Sequence, residues 1–303
     1  MARTRLVTTD PSESPVRRPV PAPLLVLGAI VSVQFGGALA ATLIPEIGAG
    51  GAVVLRLLIG TAVLVGLVRP RWRGRSRRAW TTVIVFGVAL GLMNFAFYGA
   101  LAYLPLGVAV TIEFIGPLGL AAVLSRRLVD GIAVLLAGLG ILLISEVFSL
   151  PLADLPFRGL VLAALAGLCW AIYIIFAGRT GALFDRLEGL ALAMIVATVV
   201  TVPFGIGSVG SWTPEVLAKG LGIALLSSVL PYSLELVALR RMSAQVFGIM
   251  LSLEPAVAGI AGLAILSQRL TGIQLIGMGL VVIASAIVLG FGARKEPAES
   301  TAT

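Results

Sequence analysis

Ten apolar blocks, each close to the roughly 20 residues that cross a bilayer as a helix, fill this 303-residue chain. They run 24–44, 50–68, 80–100, 105–125, 128–147, 157–177, 188–207, 216–238, 243–267 and 270–292. The composition is 59% hydrophobic and 12% charged, where a soluble domain is roughly 45–50% apolar and about 25% charged. One soluble core cannot hide that much apolar surface, so the excess must face lipid. This excludes a cytosolic enzyme, a disordered chain and a secreted disulfide scaffold. There is no His and a single Cys, Cys169, which removes histidine metal sites, histidine proton relays and any internal disulfide. No phosphate-binding G-x-x-x-x-G-K-[ST] stretch is present. Lys219 and Lys295 fall at a helix end and in the tail, so no core lysine can carry a Schiff base. No Asp-rich cluster serves a membrane transferase, and no nucleophile stands with a base. The expectation is a chain that is not an enzyme, needs no metal or cofactor, and moves a solute.

Charge placement sets the orientation. The net charge is +8, but the arginines cluster between apolar blocks rather than lining a soluble surface, so nucleic acid is not an expected partner. With the N-terminus inside, the inner segments hold Arg3, Arg5, Arg17 and Arg18, then the run from Arg69 to Arg78, then Arg126 with Arg127, Arg179 with Arg186, Arg240 with Arg241, and Arg294 with Lys295. These are 18 of the 22 cations. Every alternate loop is basic, as the positive-inside bias requires. The pattern predicts an even number of spans with both termini cytoplasmic, and the basic segments suit anionic lipid. Residues 1–40 resemble a secretory leader ending at Ala38-Leu39-Ala40. The charged stretch is too long and the apolar run spans a full bilayer, so it is read as the first membrane helix.

The chain also repeats itself. Leu27, Ala29 and Phe35 align with Leu162, Ala164 and Trp170 at a shift of 135. Ala100-Leu101 aligns with Ala238-Leu239 at 138, and Leu124-Ser125-Arg126-Arg127-Leu128 with Leu266-Ser267-Gln268-Arg269-Leu270 at 142. Five spans per unit is odd, so the second copy inserts upside down. The expected fold is therefore an all-α membrane protein with ten transmembrane helices in two inverted five-helix repeats. Its parts are a cytoplasmic tail 1–23, a first repeat 24–147, an external linker 148–156, a second repeat 157–292 and a tail 293–303. Inverted repeats recur in secondary transporters, with the site near the midplane between them. Gly87 with Gly91, and Gly259 with Gly262, suit close helix contact.

Charged groups within spans are costly and are functional candidates by default. Four occur: Arg56, Glu113, Glu235 and Glu254. Glu113 and Glu254 lie mid-helix beside Pro117 and Pro255. Each proline removes a backbone bond and frees a carbonyl, which makes a polar pocket within a broken helix. Either acid can alternatively be satisfied by a neighbouring helix. Arg56 can pair with Glu113 or Glu254, hold a substrate carboxylate through a bidentate fork, or snorkel outward. Glu235, five residues before Arg240, is either a gate salt bridge or a binding group. Gln34, Asn94, Tyr98, Tyr173, Tyr232 and Ser233 add polar edges, and Trp170 with Tyr173 offers ring faces to an ammonium group, although for each alone core packing outweighs contact with a ligand. Burial disfavours the charged form of a carboxyl and a nearby Arg favours it. An acid that alternates between two such settings carries a proton, which makes Glu113, Glu254 and Glu235 the coupling or gate candidates.

At this point the residues resemble a known group. Ser32-Val33-Gln34, Leu55-Arg56-Leu57, Gly91-Leu92-Met93-Asn94, the run Pro105 to Val110, Glu113-Phe114 and Gly116-Pro117-Leu118 mark the first half. Cys169 to Tyr173, Leu230 to Glu235, Phe247-Gly248 and Leu253-Glu254-Pro255-Ala256 mark the second. Over about residues 24 to 290 the layout resembles the ten-span drug/metabolite transporter superfamily, with two EamA-type repeats, and within it the bacterial inner-membrane exporters of threonine and homoserine. Many relatives carry Gly-Glu where this chain has Ser267-Gln268, so a role for that acid is not carried over. The resemblance implies proton-coupled export of small amino acids. The substrate-binding set then comprises Gln34, Arg56, Asn94, Tyr98, Glu113, Trp170, Tyr173, Tyr232 and Glu254. Expected partners are a small-molecule substrate, membrane lipid and a second copy in a homodimer. A broad-specificity metabolite or drug exporter or facilitator, and a non-transporting receptor or scaffold, are the alternatives; two matched halves suit alternating access better than a receptor.

Overall fold

The computed structural model describes residues 20–104, 106–145, 155–266 and 270–292. The charged leader through residue 19, Pro105, the linker as far as Asp154, Ser267-Gln268-Arg269 and the tail from residue 293 lie outside the described residues. The described residues form helices and no strands. In chain order these are α1 (Ala22–Val68), α2 (Arg77–Ala100), α3 (Leu106–Leu124), α4 (Leu128–Ile144), α5 (Phe157–Leu183), α6 (Glu188–Gly205), α7 (Pro214–Ala224), α8 (Leu230–Leu239), α9 (Ala244–Leu251), α10 (Glu254–Leu266) and α11 (Gly272–Gly292). Six apolar stretches are long enough to cross a membrane: Thr42–Val68, Arg77–Ala100, Phe157–Leu183, Glu188–Ser211, Pro214–Leu239 and Gly272–Gly290. Shorter apolar helices at Ala22–Gly37, Val108–Leu124, Leu128–Ile144 and Ala244–Ile260 fall in the remaining four apolar blocks of the sequence.

α1 holds two of those blocks. Its backbone leaves helical geometry at Gly48, where φ is 73° and ψ 165°. A positive φ is open to Gly at little cost. The contacts of the two arms show that the chain reverses there. Along the first arm Gly28 faces Leu234, Gly36 faces Ser227 and Gly222 faces Leu39. Along the second arm Gly220 faces Leu55 and Ile59, and Gly60 faces Ser228 and Val229. One arm therefore runs against the 214–239 helix and the other runs with it. At the turn Lys219 joins Glu46 at 2.7 Å and Glu215 at 2.8 Å.

Local signals fix the other ends. The Ser76 side chain accepts from the Ala79 amide at 3.2 Å and starts α2, and Ser243 does the same for α9 through Val246. Thr213 caps α7 through Val216, with Pro214 following it. Each cap satisfies an amide with no helical partner, and Pro is suited to the first helical position.

From Pro214 to Leu239 the chain is one helix with a wide π turn at Leu225–Val229. The Leu230 amide reaches back five residues to the Leu225 carbonyl. In that register residue 231 would donate next to Leu226, but Pro231 has no N–H. The Ser32 hydroxyl donates to the Leu226 oxygen instead, at 2.6 Å. A π turn of this kind marks many functional sites.

Small residues let helix backbones meet. Gly116 on α3 crosses Gly167 on α5, Gly50 crosses Gly205, and Gly140 on α4 crosses Gly277 on α11. Gly91 of the Gly87/Gly91 pair leaves room for only 3.0 Å between an added methyl and the Ala197 carbonyl on α6. At one end of the bundle Arg75 meets Glu188, Arg240 meets the 184–186 turn, and Arg241 donates to the Val20 carbonyl at 2.9 Å. At the other end are the Lys219 cluster and Gly159 against Tyr103 and Leu104. Arg75, Arg240 and Arg241, from three of the basic segments, thus lie at one end.

Candidate functional site

The interior between α1, α2, α3, α5 and α8 is polar in its middle. Arg56, on the second arm of α1, is only 5% exposed. Its guanidinium donates to the Asn94 side-chain oxygen on α2. It also sits over the Tyr98 ring, 5.6 Å from the centroid, within the range of a cation–π contact. Asn94 donates to the Leu90 carbonyl at 2.8 Å and to the Tyr232 hydroxyl at 3.2 Å. Tyr232 and Tyr173 lie with ring centroids 5.9 Å apart, and the Tyr173 hydroxyl donates to Glu235 at 2.6 Å. Arg56, Asn94, Tyr98, Tyr232, Tyr173 and Glu235 thus form one connected cluster drawn from α1, α2, α5 and α8.

Beside it, Glu113 is buried on α3. Pro117 lies four residues on, so the missing N–H leaves the Glu113 carbonyl without its helical donor. Gly167 packs against that carbonyl; a methyl there would stand 2.6 Å from the oxygen. Trp170, one turn along α5, meets the Phe114 ring edge-on at 4.9 Å. Glu254 opens α10 after Ser252 and Leu253, whose amides bond only three residues back, to Ile249 and Met250. Pro255 then sits in the first turn, where it is tolerated. Glu254 is within electrostatic reach of Glu113, Glu235 and Tyr173. The proline beside each acid therefore acts differently. α3 runs unbroken through Pro117, while the helix of the second half is interrupted before Pro255.

This cluster holds a cation with spare donors. Among the described residues Arg56 has no carboxylate partner, and its Nε is buried with no hydrogen bond. A buried guanidinium is costly until an anion or full hydrogen bonding satisfies it. The donors remaining on Arg56 and the acids Glu113, Glu235 and Glu254 offer complementary charges to a small zwitterion.

Residues 157–290 match the EamA-like transporter family. Threonine/homoserine exporter RhtA of Escherichia coli (strain K12) is 40% identical over 277 residues, which cover 89% of this chain and 92% of that protein. The exporter of the same name from Salmonella typhimurium (strain SL1344) is 40% identical over 287 residues, covering 92% and 95%. The chain belongs to the EamA-like transporter family. A crystal structure 18% identical to this EamA-like chain superposes with a TM-score of 0.73, covering 91% of this chain and 99% of that one, so the fold is shared.

Two pairings read from the sequence are corrected in this EamA-like protein. Arg56 bonds Asn94, not Glu113 or Glu254. Glu235 takes the Tyr173 hydroxyl, while Arg240 turns to the Phe184 and Arg186 carbonyls. Positions five apart on a helix are about 140° apart around it, so that pair does not share a face. Gln34 is half-buried on the first arm of α1, two residues beyond Ser32, and makes no side-chain hydrogen bond among the described residues. Ser233 bonds its own helix at the Val229 carbonyl. The sequence reading passed over Thr61 and Thr198, whose hydroxyls meet at 2.8 Å between α1 and α6, one turn beyond Leu57. A threonine within each apolar run, Thr61 on α1 and Thr198 with Thr201 on α6, was the available signal.

Proposed function

We propose that this chain is a secondary transporter that exports small amino acids of the threonine and homoserine kind across the bacterial inner membrane. On this reading it has ten spans in two inverted five-helix repeats with both termini cytoplasmic. The arginines Arg75, Arg240 and Arg241 at one end of the bundle and the reversal at Gly48 support that plan. Identity of 40% across most of the chain to a threonine/homoserine exporter supports the substrate class.

The observation that carries the reading is Arg56: a buried cation with an unpaired Nε, held by Asn94 over Tyr98. Asn94 fixes one side of the guanidinium and leaves the rest as a fork for a substrate carboxylate. The amino group of the same molecule then lies toward Glu113, Glu254 and the rings of Trp170 and Tyr173. A zwitterion neutralises both buried charges at once, which offsets the desolvation of each. A threonine hydroxyl finds Tyr232 and Asn94 as partners. Proton coupling follows if Glu113, Glu254 or Glu235 takes a proton when the cargo leaves, so that no bare carboxylate is stranded in the interior. In alternating access the cluster stays near mid-depth while the halves rock around it.

The test uses purified chain in vesicles loaded with labelled threonine, with and without an imposed proton gradient. Wild type is expected to export threonine faster with the gradient. Arg56→Lys keeps the charge but loses the fork, and should lower export at least tenfold. If Glu113→Gln and Glu254→Gln both respond to the gradient as wild type does, coupling through these acids is wrong. Strong inhibition by bulky apolar compounds would favour a broad metabolite exporter, and tight binding without flux a receptor.

A further inference from the structure

A cavity with a cationic rim lies away from the central cluster, at the arginine-rich end. It is about 690 Å³ and opens between the first two turns of α2 and the last two of α5. Arg77 and Arg78 begin α2 on one wall and Arg179 faces them from α5. All three are exposed, and among the described residues none has a carboxylate partner. No acid lines the cavity. The neighbouring Arg75 is different: it is spent on Glu188 and on the Phe184 ring, 4.9 Å away. Deeper in, the lining turns apolar, with Val85 on α2 and Phe176 on α5. The Arg179 guanidinium rests 4.8 Å from the Phe176 ring, which holds it over the cavity.

Three unpaired guanidinium groups suit a phosphate, which they bind through paired N–H donors. On the membrane placement proposed above, the cavity sits where the ends of two apolar spans reach headgroup level, and its cations lie outside its apolar part. That order of cationic rim and apolar depth matches an amphiphile. Basic pockets between membrane helices on the cytoplasmic side hold anionic headgroups by this chemistry. We propose that the cleft between α2 and α5 binds the phosphate of an anionic phospholipid, with an acyl chain along Val85 and Phe176. Such a lipid would tie α2, from the first half, to α5, from the second, at the cytoplasmic mouth. The inference rests on the membrane placement proposed above, but not on the cargo.

The experiment is native mass spectrometry of the full chain released from vesicles of phosphatidylethanolamine with phosphatidylglycerol. Wild type should retain phosphatidylglycerol over the zwitterionic lipid by about tenfold or more, from roughly three favourable arginine contacts. The triple variant Arg77→Gln, Arg78→Gln, Arg179→Gln should lose that preference. A control with the same charge loss elsewhere at this end, Arg71→Gln, Arg73→Gln, Arg126→Gln, should keep it. Equal retention in the two variants overturns the site. Inorganic phosphate and glycerol phosphate at millimolar concentration form the second arm. Failure to displace the lipid supports a phospholipid ligand. Arginine-dependent binding of free phosphate without lipid retention overturns the phospholipid and assigns the cleft to a soluble anion. The readout is bound mass, so a chain that fails to export threonine still tests it.

Discussion

Asn94 and Tyr232 stand 138 positions apart and share a hydrogen bond of 3.2 Å. The offset is the one that relates Ala100-Leu101 to Ala238-Leu239 in the sequence. On the two-repeat plan, equivalent positions of the halves touch each other, and Arg56 hangs on one of them. The bond therefore links the cation on α1 to α8. Replacing Asn94 by Leu leaves both the guanidinium and the Tyr232 hydroxyl short of a partner, at about 1–3 kcal/mol for each. Tyr232→Phe removes only one group and should cost about 1 kcal/mol. The two are expected to be non-additive by at least about 0.5 kcal/mol, because they share a bond. Threonine binding and thermal unfolding of the two single variants and the double variant measure this.

Ser32 and Pro231 make a second coupled pair. Ser32→Ala strips the Leu226 carbonyl of its donor and should cost about 1 kcal/mol. Pro231→Ala restores an N–H that can reach Leu226 in the π register. The double variant should therefore unfold at a higher temperature than Ser32→Ala alone. A double variant no more stable than the single one would show that the serine acts otherwise.

Gly167 touches the backbone of α3 at Glu113. Gly167→Ala must push α5 away from α3, since the clash is with a carbonyl and not with a flexible side chain. A cost of about 1–3 kcal/mol is expected from overpacking, with threonine affinity falling because Trp170 and Tyr173 ride on α5. Gly178→Ala, on the same helix with open space around it, should be close to neutral. Unfolding temperatures and binding isotherms of the two variants make the comparison.

Arg75, just before α2, and Glu188, at the start of α6, close one end of the bundle. Reversing either charge should loosen that end, and the double reversal should restore it. Cys169 is buried beside Trp170 and is the one cysteine of the chain. Its rate of maleimide labelling reports access to the interior without added cysteines. Labelling is expected to speed up in Arg75→Glu and to return toward wild type in Arg75→Glu with Glu188→Arg.

Periodic apolar blocks made the helices legible, because lipid enforces a long, nearly charge-free run for each one. α2 ends at Ala100 and α5 starts at Phe157, as the blocks do. Block ends were less well marked where arginine sits inside a helix. α5 continues past Arg179 to Leu183, since an arginine at a helix end can reach outward while its stem stays with the apolar face. Charged site residues stood out because each is expensive in an apolar span. Their partners did not, because a partner depends on which faces meet. Nothing in the run around Arg56 names Asn94, and the attraction of opposite charges pointed to the glutamates instead. The π turn was invisible for a related reason: Leu225 to Val229 reads as ordinary apolar helix, and only the packing of Gly36 against Ser227 and the bond from Ser32 reveal the wider register.

That wider turn amounts to one surplus residue wound into the 214–239 helix. Deleting any single position from 225 to 229 would let the segment tighten to ordinary pitch, with four residues filling the turn that five fill now, so Tyr232 and Glu235 would keep their bearing relative to Lys219 and the start of the helix. Tyr232 would stay on Asn94 and Glu235 on Tyr173. The alignment of the two ends of this helix is thus set by the width of that one turn: closing it to ordinary pitch with every residue retained would carry Tyr232 and Glu235 about 100° away from Asn94 and Tyr173.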